Sequence, residues 1–114
     1  MITETRKNIK LEVYYGPNQQ TLMADYTVNM SIGGVYLETD TIRPVDTSLV
    51  IKFKIPGNNP IIVCKARVAW TNEAGHRKKF NLPPGMGIQF LDLSLENLQY
   101  IRNFLKEGDL KPDW

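Results

Sequence analysis

The chain has 114 residues and a mass of 13.1 kDa, which is the size of one domain, because two separate cores would each be too small to fold unaided. Apolar residues make up 42% of the chain, enough to build a core, so the composition excludes a wholly disordered protein. The 14 Lys and Arg residues against 12 Asp and Glu residues give a net charge of +2, which excludes bulk attraction to a polyanion as the main activity.

Alternation of apolar and polar residues predicts β-strands along most of the chain, since successive side chains of a strand point to opposite faces. The pattern occurs in six segments: 10–15, 22–30, 35–39, 49–55, 61–70 and 86–91. Turn residues separate several of them, as in residues 16–18 and 56–60. Over residues 94–107 the period changes to three and four, which predicts one amphipathic helix that Ser94 caps and Gly108 ends.

These elements predict an all-β domain, an antiparallel barrel or sandwich with one C-terminal helix, because parallel strands would need crossover helices between them. We expect one domain over residues 1–114, with a flexible arm over 1–9, the strands over 10–91 and the helix over 94–107. The predicted buried face of the helix consists of Leu95, Leu98, Ile101 and Leu105.

The sequence offers little chemistry for catalysis or for metal binding. Cys64 and His76 are the only residues of their kinds, so there is no internal disulfide and no zinc cluster. Cys64 is predicted to be an inert core residue, and Ser31 lacks the leading glycine of a nucleophile elbow. We therefore expect no catalytic residue, no metal and no cofactor. The start of the chain is polar and no segment has the length of a membrane span, so we expect a cytoplasmic protein without membrane insertion.

The first candidate for a ligand site is the segment 29–34 at the end of the second predicted strand. Strand alternation places Asn29 and Ser31 side by side, where an amide and a hydroxyl can read the edge of a planar base. Gly33 and Gly34 would let a ligand approach the backbone. The same residue types are also typical of a plain turn.

The second candidate is the basic segment 6–10, which precedes the first predicted strand. Arg6 offers a planar fork that matches guanine or two phosphate oxygens, whereas Lys10 supplies a point charge. A charged terminus is also typical of a solvated surface. A further basic run, residues 76–79, lies in the long loop before the last strand. We interpret it as solvated surface, with phosphate contact as the alternative.

Taken together, the two segments resemble the PilZ domain family. The family pattern is Arg-x-x-x-Arg followed by Asp/Asn-x-Ser-x-x-Gly, and this chain has Arg6-x-x-x-Lys10 followed by Asn29-x-Ser31-x-x-Gly34. The strand with Trp70, the entry to the last strand and the final helix are also similar to a stand-alone PilZ subgroup. The resemblance covers residues from about 5 to 106.

The resemblance implies a six-stranded antiparallel PilZ-type β-barrel that binds cyclic di-GMP without a catalytic step and passes the signal to a protein partner, which the sequence does not identify. Carried over residue by residue, Arg6 would contact guanine and phosphate, and Asn29 and Ser31 would hydrogen-bond a guanine edge. Gly34, beside Gly33, would keep the site open.

One departure from the family pattern bears on the ligand. Lys10 stands at the second arginine position and cannot form a bidentate fork on guanine, which lowers the expected affinity by about 1 to 3 kcal/mol. Lys7 could compensate in part. The alternative is a PilZ adaptor that binds a protein partner and does not bind cyclic di-GMP.

A barrel for single-stranded nucleic acid is the weakest hypothesis. Such barrels present aromatic stacking platforms in a basic groove. Here the alternation predicts Tyr26, Phe53, Trp70 and Phe90 on inward faces and leaves Tyr14 and Tyr36 outward. The predicted partners are therefore cyclic di-GMP and a protein, and not a nucleic acid.

Overall fold

The computed structural model describes residues 6–57 and 59–109. These residues form seven strands and one helix: β1 (Lys7–Asn8), β2 (Glu12–Asn18), β3 (Thr21–Met30), β4 (Gly34–Glu38), β5 (Ser48–Lys54), β6 (Ile61–Asn72), β7 (Gly85–Phe90) and α1 (Leu95–Asp109). The predicted helix and the six predicted strands are all present, with ends that differ by a few residues.

The strands form a closed ring. They are paired in the order β3, β2, β5, β6, β7, β4, and β4 pairs back with β3. Every pairing is antiparallel, which confirms the predicted six-stranded architecture. Closure leaves the six ring strands with a neighbour on both sides, so their backbone groups are satisfied within the ring.

The additional strand β1 lies in the segment predicted to be an arm. Lys7 pairs with Met30 and Asn8 with Asn29, so this part of the chain lies along the end of β3. Residues 1–5 and 110–114 lie outside the described residues. The basic segment 6–10 therefore starts next to the first candidate, the segment 29–34.

The inward side chains of the ring strands form the hydrophobic core. Val13, Ile51 and Ile62, from three neighbouring strands, are fully buried. Tyr15 is buried among them and donates a hydrogen bond of 2.6 Å from its hydroxyl to Asp25 Oδ2. The core therefore follows the period-two pattern of β2, β5 and β6.

Two β-bulges change which side chains face the core. In β3 the register with β4 shifts between Thr27 and Asn29, and Tyr26 is 47% exposed where the alternation predicted an inward ring. In β6 the register with β7 shifts between Val68 and Trp70, which turns Trp70 out of the core row. The inward predictions for these two aromatic residues were wrong, because one extra residue reverses the faces of a strand.

Tyr36 lies on the predicted face of its strand but differs from the prediction in its burial. It lies on the face of β4 opposite the core residues Val35 and Leu37, as predicted, but it is buried. The ring of Trp70 stacks on the Tyr36 ring with centroids 5.1 Å apart. The Tyr36 hydroxyl donates a hydrogen bond to the Pro83 carbonyl at 2.7 Å. A second layer of side chains therefore covers this part of the outer face.

The helix begins as predicted. Ser94 Oγ accepts a hydrogen bond of 3.0 Å from the backbone N–H of Asn97, which confirms the predicted cap. Ile101 and Leu105 are buried against the core, but Leu95 is 85% exposed, so its predicted burial was wrong. The first turn thus extends past the edge of the core. Among the described residues, no helix is long and apolar enough to cross a membrane.

Burial of Cys64 gives a pH prediction. Its thiol is in the core, as predicted, and burial raises its pKa from the ordinary value of 9.0 to about 12. Between pH 9 and about 12 the unfolded thiol loses its proton and the folded one keeps it, so the free energy of unfolding should fall as pH rises through this window. Urea unfolding of the protein and of Cys64→Ala at a series of pH values measures this. The decline should be shallower in the variant, and equal slopes would contradict the assignment.

Candidate ligand site

Arg6 is the centre of the candidate site. Its guanidinium donates from Nε to Asn29 Oδ1 at 2.8 Å and from Nη1 to Ser31 Oγ at 3.2 Å. Nη2 lies 3.5 Å from the carbonyl oxygen of Gly34. The two motifs, which are more than 20 residues apart in the chain, therefore meet through one side chain. Pairing of β1 with the end of β3 brings them together.

The segment from Ser31 to Gly34 is a tight turn, so the plain-turn interpretation also describes it. The Ser31 hydroxyl accepts from the backbone N–H of Gly33 at 3.1 Å, and the Ser31 N–H donates to the Gly34 carbonyl at 2.9 Å. These bonds fix the serine oxygen on the side where Arg6 approaches. The turn is therefore the scaffold of the polar site.

Gly34 is required by packing against β7. A Cβ at this position would overlap the backbone carbonyl oxygen of Ile88. Gly33 lies beside it and accepts a hydrogen bond of 2.9 Å from the backbone N–H of Phe90. Both glycines thus hold the turn close to β7, and both line a cleft that starts at Arg6.

The first cleft has a volume of about 260 Å³. Its walls come from Arg6, from the turn and from β4, β6 and β7, and the lining residues are Arg6, Gly33, Gly34, Val35, Ala69, Trp70, Gly87, Ile88 and Gln89. The bulge in β6 puts Ala69 and Trp70 together on this face, and the indole of Trp70 lies against the backbone of Gly87. The cleft thus combines a fixed guanidinium with an aromatic ring, which suits a planar anionic ligand.

A second cleft of about 220 Å³ shares Arg6 and Trp70 with the first. Its other lining residues are Asn29, Tyr36, Lys79 and Leu82. Burial raises the pKa of the Tyr36 hydroxyl, which donates a hydrogen bond to the Pro83 carbonyl oxygen of the loop. Arg6 therefore lines both clefts, and the second cleft is lined by two cationic side chains, Arg6 and Lys79.

The remaining predicted site residues point elsewhere. Lys7 Nζ donates to the carbonyl oxygen of Leu105 near the end of α1 at 2.9 Å. Lys10 Nζ lies 4.9 Å from the centre of the exposed Tyr26 ring. Neither lysine lines the two clefts. The structure thus gathers Arg6 with the segment 29–34 and leaves the two lysines at its margin.

Several residues that line the clefts were not predicted as site residues, among them Trp70, Lys79 and Gln89. Trp70 was assigned to the core, Lys79 to solvated surface, and Gln89 was not singled out. The outward position of Trp70 depends on the bulge in β6, and no residue type in that strand predicts this bulge. The only sequence signal for this face was Gly87, which leaves the space that the indole fills.

This chain is a small all-β domain, a closed ring of antiparallel strands with a cleft that Arg6 lines. Comparison with protein-family models identifies it further, because the PilZ domain model matches residues 4–107. The chain belongs to the PilZ domain family. PilZ domains are cyclic di-GMP receptors and adaptors rather than enzymes, and they interact with protein partners.

Two solved structures show the same fold. One is the Bacillus subtilis inhibitor of motility MotI/DgrA, with a TM-score of 0.74 and 14% identity, covering 97% of this chain and 52% of that one. The other is the PilZ domain of CeSA from a cellulose-synthesizing bacterium, with a TM-score of 0.58 and 16% identity, covering 92% and 98%. This chain thus spans about half the length of the MotI/DgrA chain. Comparison with curated proteins gave no match.

Proposed function

We propose that this domain is a cyclic di-GMP receptor that holds the nucleotide with Arg6, Asn29 and Ser31. The observation that carries the proposal is the contact of the Arg6 guanidinium with both Asn29 Oδ1 and Ser31 Oγ at the wall of a cleft. These are the residues that match the family motif, and they come together although the two segments are distant in sequence.

The chemistry of the site suits a guanine nucleotide. The guanine edge carries two acceptors, O6 and N7, that match the arginine fork. Asn29 and Ser31 each have donor and acceptor capacity for the remaining polar atoms of the base. The Trp70 ring lines both clefts and can stack on a base, which contributes about 1 to 3 kcal/mol for a single base. The proposed activity is therefore binding, with no bond made or broken.

In the proposed complex, Lys10 leaves the Tyr26 ring and binds a phosphate of the nucleotide. Its contact with the Tyr26 ring is at an exposed site, where such contacts contribute about 0.5 to 1 kcal/mol. A hydrogen bond to a charged group contributes about 1.5 to 3 kcal/mol. A nucleotide phosphate can therefore compete with Tyr26 for Lys10. Lys7, bound to the end of α1, would carry a change in the basic segment to the helix.

Calorimetric titration with cyclic di-GMP tests this function, with GMP and cyclic di-AMP as controls and the Lys10→Arg variant in parallel. We expect binding that is selective for cyclic di-GMP. Lys10→Arg should bind about tenfold more tightly, because it restores the second planar fork. Absence of heat from both proteins would contradict the proposal.

A second function is favoured by the position of Lys10 over Tyr26, away from both clefts. If that contact persists, the domain is an adaptor that binds a protein partner in the cytoplasm without cyclic di-GMP. The same titration separates the two functions. The adaptor gives no heat with the natural lysine. If Lys10→Arg then binds, the cleft is intact and has lost only its second guanine contact.

A further inference from the structure

The loop between β6 and β7 is held in place by one buried side chain. Asn72, the last residue of β6, is fully buried beneath it. Its Oδ1 accepts hydrogen bonds from the backbone N–H groups of Lys78 at 2.7 Å and Lys79 at 3.0 Å. Its Nδ2 donates to the carbonyl oxygen of Lys79 at 3.0 Å. Both backbone polar groups of Lys79 are therefore bound to one buried amide.

Further contacts fix the rest of the loop. Arg77 Nη2 donates to the carbonyl oxygens of Phe80, at 3.1 Å, and Leu82. The Tyr36 hydroxyl donates to Pro83, and the backbone N–H of Thr39 donates to Pro84 at 3.2 Å. These bonds fix the backbone of the loop, while the side chains of His76, Lys78 and Lys79 are exposed, as the sequence predicted.

The fixed backbone places Lys79 at the candidate site. Its Nζ lies 5.7 Å from the centre of the Trp70 ring, and its side chain lines the second cleft opposite residues of the polar motif. The cleft thus has Arg6 and Lys79 as cations around one aromatic ring. None of the described residues that line it is acidic.

We propose that Lys79 is a phosphate-binding residue of this site and that Asn72 is its positioning residue. The inference rests on the proposed function, because the expected ligand has two phosphates and neither Lys7 nor Lys10 lines the clefts. The exposed lysine gives up only a weak contact with Trp70 when it binds a phosphate oxygen. The backbone of Lys79 is fixed by Asn72 before the ligand arrives, which lowers the entropy cost of binding.

The test is calorimetric titration of the whole chain with cyclic di-GMP, comparing the natural protein with Lys79→Met and Lys78→Met. Lys78 is the matched control, because it is the neighbouring exposed lysine of the same loop and does not line this cleft. We expect about tenfold weaker binding for Lys79→Met and less than about twofold change for Lys78→Met. Lys79→Arg should restore the affinity.

The salt dependence of the affinity distinguishes a charge contact of Lys79 from a purely structural role, which would leave that dependence unchanged. Affinity of the natural protein should fall more steeply between low and high salt than that of Lys79→Met, since one charge pair is missing in the variant. Asn72→Ala should weaken binding in the natural background but add little in Lys79→Met, if it acts through Lys79.

The outcomes separate this inference from the proposed function. Tight binding by the natural protein together with equal affinities and salt slopes for Lys79→Met and Lys78→Met would overturn the inference alone. No binding by either the natural protein or Lys10→Arg would overturn the proposed function and the inference with it.

Discussion

Replacing Arg6 by alanine should weaken cyclic di-GMP binding by at least about 100-fold, a loss of about 3 kcal/mol. The variant loses a fork that matches guanine or phosphate, and it loses the charge that both clefts share. It also leaves Asn29 and Ser31 without the guanidinium that orients them. Calorimetry on the purified variant measures the effect.

Arg102→Ala is the matched control for this experiment. Arg102 is an exposed arginine on α1, so the variant has the same change in net charge and keeps the polar motif intact. It should bind the nucleotide with unchanged affinity, and thermal unfolding should show both variants folded. Nucleotide binding by Arg6→Ala within a fewfold of the natural protein would mean that the ligand uses another surface.

Replacing Gly34 by alanine should destabilise the fold by about 3 kcal/mol. The new Cβ would overlap the carbonyl oxygen of Ile88, and that oxygen is part of the backbone of β7 and cannot rotate away as a side chain can. The β4–β7 pairing would have to separate to admit it. For a domain of this size the melting temperature should fall by more than about 10 °C, measured by circular dichroism.

Gly75→Ala provides the comparison for Gly34. Gly75 lies in the β6–β7 loop, and a Cβ added there would have no atom within 4 Å. The same chemical change should leave the melting temperature unchanged or slightly raised, because alanine restricts the unfolded chain. If Gly34→Ala melted at the same temperature as Gly75→Ala, the close approach of β4 to β7 would not be a requirement of the fold.

The polar half of the site could be predicted from the sequence because it depends on residue types at short spacings. Asn29, Ser31 and Gly34 lie within six consecutive residues, and the Arg6 fork needs only a neighbouring strand to reach them. The aromatic half could not be predicted in this way. Trp70 belongs to a strand whose alternation places it inward until the bulge reverses the face.

The position of Lys79 at the cleft could not be predicted from the sequence either. In the sequence it is one of several cations in a polar loop, and such runs are usually solvated. Its proposed role at the cleft depends on Asn72, whose buried amide binds the loop backbone from the end of β6. A single asparagine in the sequence does not reveal that its side chain will be buried or which backbone groups it will bind.

The sequence by itself determined the strand pattern, the terminal helix, the core position of Cys64 and the residues of the polar motif, because these follow from local periodicity and composition. Only the tertiary structure decided the ring closure through β3 and β4 and the outward turn of Trp70. It also decided the burial of Tyr36 and the position of Lys79. The physical reason is that strand register, bulges and buried hydrogen bonds join residues far apart in the chain, and one shifted residue reverses every side chain that follows it.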